Sequence, residues 1–231
     1  MDISWTKSVG EQGLAKGAKG TCRQAVCTCD KYYSLKEKIP NWSANTGVSI
    51  RKTGPAEVVQ GQVIAYEIPL LRNDSTIPLA DFFWRDTLPT NAVRVNRLVT
   101  GTFNAPVTYR VIDITNTGRE IVIADNLQST RNNVIEMQPV HLGLAANEFL
   151  TELTVLFGQV LAGFMAVETP RVFVDVLPSS HTFLPNGMMF ANRVDVGGRV
   201  PGSDEWVIGN STAASTLLNL SPQPVLPRSG F

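Results

Sequence analysis

The chain has 231 residues, 43% of them hydrophobic and 17% charged, a composition that builds a core and excludes a disordered or low-complexity protein. Lys+Arg and Asp+Glu both number 20, so no basic field exists to hold nucleic acid or an anionic membrane. No apolar run is long enough to span a bilayer, and the N-terminal MDISWTKSVGEQ lacks the apolar core of a signal peptide.

Residues 1–46 have weak periodicity and read as a loose arm or the remnant of a preceding module. Lys31 to Ile39 suits a short helix or strand. Cys22, Cys27 and Cys29 all lie here, so the body has no internal disulfide. Three thiolates at this spacing suit a zinc ion, but a fourth ligand is missing nearby, since His141 and His181 are remote. Free thiols are the plainer reading. No metal and no cofactor are expected.

Gly47 to Leu71 reads as two strands joined by a turn. Val48, Ile50 and Lys52 share one face of the first, and Ile64, Tyr66 and Ile68 one face of the second. Thr53-Gly54-Pro55 and Gln60-Gly61-Gln62 supply turn chemistry. Arg72-Asn73-Asp74-Ser75 is a polar loop. Leu79 to Arg85 is a strand that puts Phe82, Trp84 and Asp86 on one face. Val93 to Phe103 and Val107 to Ile114 follow as strands, and Asn116-Thr117-Gly118 turns the chain into a run from Glu120 to Ala124.

Asp125 to Asn147 is mixed, with a helical turn near Gly143 to Glu148. Phe149 to Phe157, Val172 to Val176 and Met188 to Val196 are further strands. Gly197-Gly198 reads as a turn, and Trp206 to Ile208 as a last short strand before the polar NSTAAST. Trp84 and Trp206 read as core or hairpin-packing residues, and the histidines as solvent-facing. Short strands, frequent Gly, Pro and Asn turns and no long helix indicate an all-β sandwich over residues 47–212, followed by a Pro-rich linker over 213–231.

Three polar residues fall at inward positions: Lys52 after Val48 and Ile50, Asp86 after Phe82 and Trp84, and Asn192 between Phe190 and Val194. Burying any one alone costs several kcal/mol, on the order of 2–7 for a neutral polar group. Two outcomes satisfy all three. One is a buried Lys–Asp ion pair capped by the carboxamide. The other is covalent: burial favours the neutral amine and the neutral carboxyl, the Lys52 amine attacks the Asn192 side-chain carbonyl, and Asp86 shuttles protons. Ammonia leaves and an isopeptide joins an early strand to a late one. No Ser-His-Asp or Cys-His set has a supporting context, so turnover chemistry is not expected.

Lys52-Thr53 with Gly54-Pro55, Gly61-Gln62-Val63-Ile64-Ala65-Tyr66, Asp86-Thr87-Leu88-Pro89 and Asn192 resemble the Ig-like conserved-repeat domain of Gram-positive cell-surface proteins, related to isopeptide-forming fimbrial and adhesin domains. The resemblance covers residues 47–200. It implies an Ig-like β-sandwich in which Lys52 and Asn192 form the cross-link and Asp86 is the catalytic acid. Arg193-Val194 departs from the family's pattern, and Asp125 to Asn147 looks like an insertion.

Leu226-Pro227-Arg228-Ser229-Gly230 resembles the LPXTG sorting signal of sortase substrates, with Ser in place of Thr. That resemblance implies cleavage before Gly230 and attachment of Ser229 to the cell wall, with sortase and peptidoglycan as partners. The reading is therefore a structural or adhesive module of an extracellular, cell-wall-anchored protein. The alternative is a module without a cross-link whose loops hold a glycan or a host protein. A surface aromatic cluster would favour it.

Overall fold

The computed structural model describes residues 3–5, 20–22, 45–177 and 184–218. Cys27, Cys29, His181, the run from 31 to 39 and the motif at 226–230 lie outside these residues. Two units are distinguished, Met1–Ser43 and Ala44–Phe231. In the first, β1 (Ile3–Trp5) and β2 (Gly20–Cys22) pair antiparallel.

In the second unit the strands are, in chain order, β3 (Val48–Thr53), β4 (Glu57–Val58), β5 (Val63–Asn73), β6 (Leu79–Thr87), β7 (Val93–Val99), β8 (Thr102–Phe103), β9 (Thr108–Thr115) and β10 (Glu120–Gln128). They continue with β11 (Val134–Glu136), β12 (Leu150–Val160), β13 (Ala166–Glu168), β14 (Arg171–Val176), β15 (Met189–Arg199) and β16 (Trp206–Leu217). A short helix, α1 (Pro139–Leu142), ends at Gly143 in the left-handed region.

One sheet has the order β10-β9-β12-β6-β15-β16-β4, the other β11-β7-β14-β5-β3. The two form the Ig-like β-sandwich that the strand pattern indicates. Alternation makes this work. Ile64, Tyr66 and Ile68 on β5 are fully or nearly fully buried, as are Phe82, Trp84 and Asp86 on β6 and Val172, Val174 and Val176 on β14. Phe82, Phe103, Phe157 and Phe164 pack edge-on or stacked, with centroids 4.8–6.1 Å apart.

Several expected boundaries move, each for a physical reason. The β3–β5 connection is no tight hairpin, because β4 leaves the five-stranded sheet and pairs parallel with β16 in the other. Asn73 belongs to β5 and is buried, donating from Nδ2 to the carbonyl of Leu161 at 2.9 Å. The run from Val93 to Phe103 breaks at Gly101, where φ is 68°. The stretch from 125 to 147 holds the end of β10, all of β11 and α1.

Gly197 and Gly198 do not turn the chain. They lie inside β15, where a Cβ on Gly197 would stand 2.9 Å from the Phe83 ring and one on Gly198 2.9 Å from Leu79 Cβ. The polar NSTAAST is strand too: β16 runs to Leu217, with Ala213, Ser215 and Leu217 facing the core. The sandwich thus includes residues 213–217, which the sequence pattern assigns to the linker. His141 is exposed, as expected, and Trp84 is core, but Trp206 is 46% exposed.

Candidate functional site

Lys52 comes from β3 in the five-stranded sheet. Asp86 and Asn192 come from β6 and β15, neighbours in the seven-stranded sheet. In the β15–β6 ladder Val194 stands opposite Asp86, which places Asn192 on the adjacent inward position, diagonal to the carboxylate. Lys52 Nζ donates to Asp86 Oδ2, so the ion pair bridges the two layers, and both side chains are wholly buried. The three residues singled out in the sequence therefore converge on one dry site.

The site is braced on several sides. The Lys52 backbone N–H donates to Ser211 Oγ at 3.0 Å, fixing β3 against β16. Lys52 Nζ lies 5.0 Å from the centroid of the Tyr66 ring. Ser215 Oγ donates to the carbonyl of Pro55 at 2.8 Å and lies 3.5 Å from Tyr66 Oη. Gly54 covers the other part of that ring, where a Cβ would stand 2.5 Å from Cδ1. The Gly54-Pro55 pair and Tyr66 thus form the site's wall.

Satisfaction is incomplete. Asp86 Oδ1 and both Asn192 Oδ1 and Nδ2 are buried without a hydrogen-bond partner. Buried polar groups are almost always paired, and each orphan costs about 1–3 kcal/mol. Burial pushes the Asp86 carboxyl up, against the opposing pull of the Lys52 charge and hydrogen bond and the smaller pull of the nearby Asn192 carboxamide. Burial likewise pushes the Lys52 amine down, against the pull of Asp86. Both directions favour a neutral amine beside a protonated carboxyl.

Lysine is the residue this chemistry needs. From residue 45 onward Lys52 is the only lysine in the sequence, and every other cationic position is arginine. Guanidinium keeps its proton in proteins, whereas a buried amine can lose it and become a nucleophile. Ser211 and Ser215 escape sequence reasoning because they sit in the NSTAAST run. Their signal is the two-residue spacing Ser211, Ala213, Ser215, Leu217 on one face.

No family model and no curated protein matches the chain. Among solved structures it is similar to AggA, the major subunit of aggregative adherence fimbriae type I from Escherichia coli, at 11% identity and a TM-score of 0.35 over 75% of this chain and 95% of that one. It is also similar to the CooA pilin subunit from enterotoxigenic Escherichia coli, at 7% identity and a TM-score of 0.21 over 71% and 90%. At those values neither likeness says what this chain does.

Proposed function

We propose that this chain is a structural or adhesive module of a bacterial cell-wall-anchored surface protein, locked by an isopeptide bond between Lys52 and Asn192. The observation that carries the reading is the Asn192 carboxamide, wholly buried beside a Lys–Asp pair with neither of its polar atoms in a well-formed hydrogen bond. A resting carboxamide is a poor occupant of that position. A reacting one fits it.

The reaction balances within the site. The neutral Lys52 Nζ attacks Asn192 Cγ, and Asp86 donates its proton toward the carboxamide as the tetrahedral centre forms. Asp86 then takes the excess proton from Nζ and delivers it to Nδ2. The Cγ–Nδ2 bond breaks, ammonia leaves, and the proton held by the former carboxamide oxygen returns to Asp86 as the C=O reforms. The new amide has one N–H and one C=O, which the two oxygens of a protonated Asp86 complement. The bond forms once, with no turnover, and ties the edge strand of one sheet to an inner strand of the other. The sorting-like run at 226–230 supports wall attachment through sortase.

Intact-mass spectrometry on denatured protein tests the bond. The expected result is a mass one ammonia below the sequence mass, restored in Lys52→Ala and Asn192→Ala. Trypsin then releases a branched species joining the peptide that begins at Lys52 and ends at Arg72 to the one from Val172 to Arg193. An unmodified mass with separate peptides overturns the covalent reading and leaves a buried ion pair.

A further inference from the structure

We propose that the outer face of the seven-stranded sheet binds an uncharged oligosaccharide, a function separate from the cross-link and independent of it. Where β6, β12, β9 and β10 lie side by side, a cleft of about 600 Å³ opens, lined among others by Asp81, Thr108, Arg110, Asp125, Asn126 and Gln159. Backbone irregularity shapes it. β12 bulges around Gly158 and β10 around Asn126, and Asp81 and Asn126 adopt φ of 52° and 54°. Bulges re-aim side chains, and non-glycine residues hold positive φ at a cost.

The charge in the cleft cancels. Arg199 Nε donates to Asp81 Oδ2 at 2.8 Å, neutralising it. Asp125 and Arg110 both line the cleft and balance in formal charge, and Arg110 pairs with no carboxylate among the described residues. Asp125 Oδ1 accepts the Asn126 backbone N–H at 2.8 Å, which fixes the carboxylate. A net-neutral cleft rich in planar donors and acceptors suits a ligand with many hydroxyls and no charge.

An aromatic platform continues the cleft. Arg110, Leu156, Phe83, Gly197 and Ile208 are successive cross-strand partners on the outer face. Strands lie about 4.8 Å apart, so this row extends for roughly 19 Å, the reach of a short oligosaccharide. Trp206 meets Phe83 edge-on at 6.1 Å, and the Arg85 guanidinium lies 5.2 Å from the same ring. Gly197 leaves room for that ring, which explains a glycine in mid-strand. The platform is thus fixed before a ligand arrives, which lowers the ordering cost of binding. Aromatic faces receive the C–H faces of pyranose rings while the cleft takes their hydroxyls.

Titration calorimetry and NMR at millimolar sugar test this on the full chain. The probes are cellotetraose, mannotetraose and N-acetylchitotetraose, with sialyllactose and a heparin tetrasaccharide as acidic counterparts. The expected result is saturable binding of at least one neutral probe, weakened tenfold or more in both Trp206→Ala and Arg110→Ala, with the folded NMR spectrum retained. Binding of acidic probes alone, binding untouched by both substitutions, or no binding of any neutral probe overturns the proposal. Gln159→Ala is the third variant if either of the others loses the folded spectrum, read against the same criterion.

Discussion

Gly54 lies flat against the ring of Tyr66, so close that a Cβ would stand 2.5 Å from Cδ1 and 2.7 Å from Cε1. The ring cannot retreat easily, because it is fully buried and Lys52 Nζ lies 5.0 Å from its centroid. Gly54→Ala is therefore expected to destabilise the fold by about 1–3 kcal/mol through overpacking. Denaturant unfolding measures the loss. The same variant should accumulate the cross-linked mass more slowly, because the wall that positions the amine has moved. An unchanged midpoint would show that the ring has freedom the packing denies it.

Asn192→Ala separates the two readings of the site by its magnitude. If no bond forms, the substitution removes two unpartnered buried polar atoms, and that relief offsets much of the cavity cost. If the bond forms, it removes a closure of the chain from residue 52 to 192, which by loop-entropy arithmetic contributes about 5 kcal/mol. A small change in unfolding free energy thus counts against the cross-link, and a loss near the larger figure counts for it.

Asp86→Ala leaves the Lys52 amine buried without its carboxylate. Burying the unpaired amine is expected to cost about 3–5 kcal/mol, the usual cost of breaking a buried pair from one side, in addition to the loss of the cross-link. Lys52→Met combined with Asp86→Leu should recover that burial cost, because no charge then remains to be buried, but not the roughly 5 kcal/mol of the cross-link, which both variants lose. Neither variant should show the ammonia deficit. Thermal unfolding and intact mass read both effects in one preparation.

Asp113 gives the protein a pH dependence of its own. It is wholly buried on β9, its Oδ1 accepts the Glu152 backbone N–H at 3.2 Å, and its Oδ2 has no partner. Burial pushes its carboxyl up from 3.8 to about 8, further than the backbone hydrogen bonds pull it down. Between those values the folded state keeps a proton that the unfolded chain releases. Stability therefore falls as pH rises from about 4 to about 8, by up to ~1.4 kcal/mol per pH unit. Asp113→Asn should flatten this slope and raise stability at neutral pH by a few kcal/mol, on the order of 3. A wild-type stability that climbs across that range contradicts the assignment.

Much of the sandwich was legible because apolar residues alternate along β5, β6 and β14. The site was legible for the converse reason: Lys52, Asp86 and Asn192 are polar residues standing in apolar registers. What could not be read depends on contacts across layers. Gly197 and Gly198 carry a turn signal, yet Phe83 and Leu79 lie too close for any larger residue, so the strand keeps them. β16 hides in small polar residues whose inward members, Ser211 and Ser215, matter only because β3 and Pro55 lie against them. The cleft beside Arg110 follows from bulges in neighbouring strands, and no single stretch of sequence announces their alignment.

The pairing of β4 with β16 has a mechanical consequence. Glu57 and Val58 run parallel to Thr216 and Leu217, and Lys52 meets Ser211 farther back along the same strand. The first and last strands of the sandwich thus point the same way, so the backbone enters at one pole and departs near the other. A pull applied to the two ends slides these strands past each other instead of peeling them apart. Their contacts then bear load together, and rupture requires many to fail at once.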